Sequence, residues 1–209
     1  MGEEINWEPQ SVADIATQLS VLGDEFRSSI AQIYYSFNLL GTNQEWVGAN
    51  FNTIANDMMN VSIGTFEDWC NYLQVVIPTT VYEIASQQAQ IGGGDVTYSL
   101  KQSSEEIRRI DETTVKADGS QILQPDAVRA EINSTMPSNC ESAFSGLQSY
   151  YSQFEELGTL SGNAAMYTIY NELEGILSRC KSLLKTFKEE TQTAVEKSIK
   201  KKEITNDET

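Results

Sequence analysis

From Val12 to Leu40 an apolar residue returns at every third or fourth position: Val12, Ile15, Leu19, Leu22, Phe26, Ile30, Ile33, Phe37 and Leu40. A strand repeats every second residue, so this pattern describes one face of a helix about 30 residues and ~45 Å long. Pro9 suits the start of that helix, Ser11-x-x-Asp14 reads as a capping pair, and Gly41 reads as its C-terminal cap. A helix this long cannot leave its apolar face in water, so the chain must supply partners of matching length.

Three further stripes supply them. After Gly48 the pattern runs through Phe51, Ile54, Met58, Val61, Thr65, Trp69, Tyr72 and Val76. Pro78 is expected to kink this helix near residue 77 or to restart it at Thr80, where Thr80-x-x-Glu83 forms a capping box, with an end at about Ile91. Beyond 125, Asp126 reads as a cap, and Val128, Ile132 and Met136 form a short stripe that Pro137 should break. Ser138-x-x-Glu141 then restarts it through Cys140, Phe144, Leu147, Tyr151, Phe154 and Leu157, with Gly158 as cap. The last stripe is Met166, Ile169, Leu173, Ile176, Cys180, Leu184, Phe187 and Val195, ending near Lys197. The expected fold is all-α: two antiparallel helical hairpins forming a structure like a four-helix bundle. The expected divisions are a first hairpin over 1–91, a linker over 92–125, a second hairpin over 126–200 and a disordered tail over 201–209. In the linker, Gly92-Gly93-Gly94 reads as a flexible joint. Ser103-x-x-Glu106 can start a short helix through Ile110, and the stretch from Thr114 to Leu123 can form a small β-hairpin around Asp118-Gly119.

The chemistry-bearing residues argue against catalysis. There are no histidines among the 209 residues, which removes Ser-His-Asp and Cys-His systems and HExxH metal sites. Cys70, Cys140 and Cys180 are odd in number and far apart, and they read as buried thiols, not as a disulfide framework or a zinc site. Carboxylates such as Glu155/Glu156 and Glu189/Glu190 are adjacent in sequence and diverge on a helix. No cofactor is implied. The net charge of −16 disfavours nucleic acid and anionic lipid as partners. No stretch reaches the ~20 apolar residues of a membrane span. The first twenty residues lack a basic start and an apolar run, so the chain is expected to be made in the cytoplasm without a cleavable signal.

The two hairpins echo one another. Tyr34-Tyr35-Ser36 precedes Leu40-Gly41-Thr42 and then Trp46-Val47-Gly48. Tyr150-Tyr151-Ser152 precedes Leu157-Gly158-Thr159 and then Leu160-Ser161-Gly162. The tyrosine pairs are expected at core and rim. Gly48 and Gly162 read as backbone positions that need positive φ or close approach.

A helix, the corner Trp46-Val47-Gly48 and a second helix within about 90 residues resembles the Trp-x-Gly (WXG, Esx-like) substrates of bacterial type VII secretion. Leu160-Ser161-Gly162 is similar to the Leu-x-Gly variant of that corner. The resemblance implies paired helical hairpins that leave the cell folded, and a Tyr-x-x-x-Asp/Glu export signal. Tyr82 is followed by Ser86 and does not match that signal, whereas Tyr170 and Glu174 do, early in the last helix. Trp46 is then either the closing side chain of a bundle end or an exposed aromatic that docks on the secretion ATPase. The resemblance implies a non-enzymatic substrate or secretion partner acting through a helical protein partner, through the ATPase or through self-association. The alternative is a cytoplasmic chaperone for a larger Leu-x-Gly toxin, and a structural coiled-coil scaffold is a third reading.

Overall fold

The computed structural model describes residues 8–101, 105–115, 117, 119–158 and 163–207, with side chains through 202. The chain is all-α apart from two short strands. Helix α1 spans Pro9–Thr42 and β1 spans Trp46–Val47. A second helical rod follows as α2 (Ala49–Thr53), a π-helical turn (Ile54–Met59), α3 (Asn60–Asn71), a second π-helical turn (Tyr72–Val76) and α4 (Ile77–Ile91). The connection after α4 leads to β2 (Ile122–Leu123). The third rod is α5 (Pro125–Ala130), a π-helical turn (Glu131–Thr135) and α6 (Met136–Glu155), and α7 (Ala164–Asp207) is the fourth.

Neither Pro78 nor Pro137 interrupts its rod: the restart expected at Thr80 and the break expected at Pro137 do not occur, and the reason is the same at both. Each is the second residue after a π turn. The amide of Ile77 bonds the carbonyl of Tyr72, and that of Met136 bonds the carbonyl of Glu131, each five residues back. The widened turn moves the carbonyl that a proline ring would strike and places the missing donor where the ladder is already interrupted. The capping pairs expected at Ser11, Thr80 and Ser138 therefore fall inside helices. The amide of Ser11 bonds the Glu8 carbonyl in the first turn, and the Thr80 hydroxyl donates to the Val76 carbonyl at 2.9 Å. Asp126 sits in the first turn of α5, after Gln124 as cap. Helix α7 continues ten residues past Lys197, to Asp207.

A π turn also adds a residue to the helical repeat, which moves the buried face. The stripe expected at Met58, Val61 and Thr65 is displaced by one residue: Met59, Ser62 and Phe66 are buried, whereas Val61 is 68% exposed. The core then continues through Trp69, Cys70, Leu73, Ile77, Val81, Ala85 and Ala89. The other three stripes are buried nearly as spaced, with Tyr150 taking the core position instead of Tyr151.

The chain forms two compact units that interleave segments of all four rods. The first draws on Met1–Arg27, Glu67–Ser104 and Phe144–Arg179, and the second on Ser28–Phe66, Glu105–Ala143 and Cys180–Thr209. In the first unit, α1 meets the second rod backbone to backbone. A Cβ on Gly23 would lie 2.8 Å from the Cα and N of Gln74. The Tyr150 hydroxyl donates to the Leu73 carbonyl at 2.7 Å. That carbonyl has no rod partner, because the Ile77 amide is given to Tyr72 and residue 78 is proline. In the second unit Tyr34, Phe66 and Phe187 meet edge to face, with centroids 6.0–6.3 Å apart, and the Tyr34 hydroxyl donates to the Met59 carbonyl at 2.7 Å. The first tyrosine of each Tyr-Tyr-Ser echo thus satisfies a carbonyl of a π turn. The second tyrosine lies at the rim: Tyr35 is exposed and Tyr151 is half-buried.

The connection differs from the expected helix and hairpin. Residues 105–110 carry no helix, and Ser103 lies outside the described residues. Ile122–Leu123 pairs antiparallel with Trp46–Val47, not with the start of the connection. Gly119 does turn with positive φ, and Asp118 lies outside the described residues.

Candidate protein-interaction site

The first corner is a closed structural joint. Helix α1 runs through Gly41, which is therefore not its cap. A Cβ there would come within 2.9 Å of Phe51 and Thr113 side-chain atoms, so glycine is needed for clearance. The chain turns instead at Gln44, a non-glycine residue at φ 57°, and the Glu45 amide reaches back to the Leu40 carbonyl at 2.8 Å. Trp46 is fully buried. Its ring meets Phe37 and Phe51 at centroid distances of 6.1 and 5.8 Å, and its Nε1 has no hydrogen-bond partner. Trp46 thus closes the joint, and the exposed docking aromatic considered for it is ruled out. Val47 is buried in β1, opposite Ile122. Gly48 adopts φ 132°, its amide donates to the Thr113 hydroxyl at 3.0 Å, and a Cβ would lie 2.7 Å from Gln121 Cγ. Gly48→Val combines a disfavoured backbone with that contact and should lower stability by about 1–3 kcal/mol. Chemical denaturation checks this, and an unchanged midpoint would count against the geometry.

At the other corner Leu160 and Gly162 lie outside the described residues. Tyr170 and Glu174 belong to the first unit, not to that of Trp46. Tyr170 is half-buried against Tyr151 at 5.6 Å between centroids. Glu174 is exposed and accepts from the Tyr151 hydroxyl at 3.4 Å. An apolar pocket of about 300 Å³ opens beside them, lined by Phe154, Leu157, Met166, Tyr167 and Tyr170, and Tyr167 is exposed.

The sequence reading missed a third feature. Asn52, Asn56 and Asn60 recur every fourth residue along one face of the second rod and hold the connection down. Asn60 accepts from the Ile110 amide at 2.8 Å and donates to the Ile110 carbonyl at 3.0 Å. Asn52 does the same for Thr113, at 2.8 Å both ways. Asn56 donates to Glu112 at 2.7 Å. In the first unit Gln10 makes the corresponding pair with Thr97, at 3.1 and 3.2 Å. The available signal was three poor helix formers at a spacing of four.

The three cysteines are free and buried, and burial pushes the Cys70 and Cys140 thiols up to about 12, which keeps them protonated. Among the described residues no group of three His, Cys, Asp or Glu is placed to hold a metal, and no helix is long and apolar enough to cross a membrane. Among the described residues, Glu131 is the perturbed carboxyl. Burial raises its pKa, hydrogen bonds from Ser36 and Thr135 oppose the rise, and the Glu45 charge adds to it, while Oε1 has no partner. A raised native pKa means that the charged form destabilises the fold. Stability should therefore fall as pH rises through that pKa and be regained below the unfolded value of about 4.3. Glu131→Gln should melt higher than wild type at pH 7, with the difference closing near pH 4. A difference independent of pH would contradict this.

No family model matches the chain, and neither the curated proteins nor the solved structures contain a match.

Proposed function

We propose that the chain is a non-enzymatic, tandem Trp-x-Gly-like substrate or secretion partner of a type VII system, acting through helix-bundle protein–protein interaction. The observation that carries this reading is the corner at Trp46–Gly48, which joins rods 9–42 and 49–91. Rods 125–155 and 164–207 then complete each compact unit. A single hairpin leaves an apolar face open and needs a second one. Here both hairpins belong to one chain, so a separate partner is free to be cargo or motor.

With Trp46 buried, contact with the secretion ATPase is assigned to the surface around Tyr170 and Glu174, whose side chains reach solvent. The test is export in a type VII-competent host. Tagged protein should appear in the medium, and it should stay in the cells when the secretion ATPase is deleted or when Tyr170→Ala and Glu174→Ala are combined. Equal retention in the parent and ATPase-deleted strains would end the export reading.

A further inference from the structure

The apolar pocket beside Tyr170 combines aromatic walls with negative charge. Phe154, Leu157 and Met166 line it and are buried, and Tyr167 and Tyr170 line it closer to solvent. Three of these side chains are aromatic, and the face of an aromatic ring attracts a cation. Glu155 also lines the pocket, and Glu174 stands beside it, where it accepts from the Tyr151 hydroxyl at 3.4 Å. Burial, the Tyr170 hydroxyl and the charges of Glu155 and Glu174 all raise the pKa of Tyr151, so both carboxylates act on this spot. No lysine or arginine lines the pocket among the described residues. The lysines and arginines of the first unit are Arg27, Lys101 and Arg179, and each already pairs with a carboxylate. The C-terminal end of α6 and the N-terminal end of α7 meet here. Their partial charges are opposite, so the two carboxylates set the sign.

The lining also selects the kind of cation. An ammonium or guanidinium head brings N–H groups that need acceptors, and Glu155 is the one charged residue among those that line the pocket. A quaternary ammonium has no N–H to satisfy and carries its charge behind apolar methyl groups. A carboxylate or phosphate on the same ligand would lie against Glu155 and Glu174 with no lysine or arginine in the lining to receive it. The volume of about 300 Å³ is at the small end of ligand pockets, which run from roughly 300 to 1,000 Å³. A whole small molecule fits. We propose that this pocket binds a small quaternary ammonium compound without an anionic group, a molecule of choline's kind. The site goes beyond the export reading and is tested without any secretion apparatus.

The probe is choline chloride, titrated at constant ionic strength into the full-length chain with methyl-labelled methionine. The Met166 methyl resonance, identified by its loss in Met166→Leu, should shift in a saturable way, while those of Met58, Met59 and Met136 stay in place. The uncharged isostere 3,3-dimethyl-1-butanol and the carboxylate analogue glycine betaine should each bind more weakly than choline by about tenfold or more. Tyr167→Leu removes a ring and keeps an apolar side chain. It should weaken choline about fivefold, as should Glu155→Gln combined with Glu174→Gln. All three side chains are exposed, so these variants should keep the helicity of wild type. No saturable shift with choline, or equal affinity for the uncharged isostere, overturns the proposal. Choline binding that neither set of variants weakens overturns it as well. Equal affinity for betaine overturns the exclusion of an anionic group. If the amide of acetyl-trimethyllysine binds more tightly than choline, the ligand is a methylated side chain of a partner protein, and the assignment to a free molecule is overturned.

Discussion

Trp46→Ala should lower the free energy of unfolding by about 3–5 kcal/mol, the range for emptying a fully buried large aromatic site. The indole is fully buried and packs edge-on against Phe37 and Phe51, which are themselves stacked 5.0 Å apart. Its removal therefore opens a cavity inside an aromatic cluster and loosens the only β-pairing among the described residues. Because Nε1 has no partner, Trp46→Phe loses volume but no hydrogen bond and should cost clearly less. For a chain of this size the alanine variant should melt roughly 6–20 °C below wild type. If alanine leaves the melting temperature unchanged, the tryptophan is not the keystone of the joint.

Asn60→Ala comes next in size. Asn60 is buried, and it alone pairs both the amide and the carbonyl of Ile110, which is also buried. Alanine leaves two buried backbone groups without partners, at about 1–3 kcal/mol each, or about 2–4 kcal/mol together once some water reaches them. Asn60→Asp keeps the acceptor, loses the donor and sets a charge against a carbonyl, so it should not rescue. Hydrogen exchange separates this from general loosening: the Ile110 amide should lose protection while α1 keeps it. Protection at Ile110 equal to wild type would mean that the clamp contributes nothing.

How much of this was legible depended on the element. The stripe from Val12 to Leu40 is regular and single-phased, and its residues are buried or half-buried as spaced. The same holds for Met166 to Val195 in α7. The second rod was read one residue out of phase at Met58, Val61 and Thr65 and again at Tyr72 and Val76, where Leu73 and Ile77 are buried and Val76 is exposed, because nothing in a spacing of three and four announces a π turn. The two prolines were a missed clue to the turns at 72–76 and 131–135, where each marks a helix widened to admit it, but no proline follows the turn at 54–59. Residues 110–113 and 122–123 could not be read because they are held by groups distant in sequence. The Ile110 backbone is held by Asn60, fifty residues earlier, and β2 finds its partner at the corner. Trp46-Val47-Gly48 was recognisable as a corner, but the inward direction of the indole came only from Phe37 and Phe51. Tyr170 and Glu174 fell on one face one turn apart, as their spacing required. That Tyr151 completes the group was not visible from local sequence.

The widened turn at 72–76 makes the rod sensitive to chain length rather than to side-chain identity. An ordinary turn over the same five residues would swing everything from 77 to 91 by about 100° around its axis. Ile77, Val81, Ala85 and Ala89, all now buried, would leave the interior together, and the hydroxyl of Tyr150 would face the wrong carbonyl. Related chains can therefore be expected to match the width of this turn to its length, with an ordinary turn where one residue of Tyr72–Val76 is absent and a widened one where all five are present.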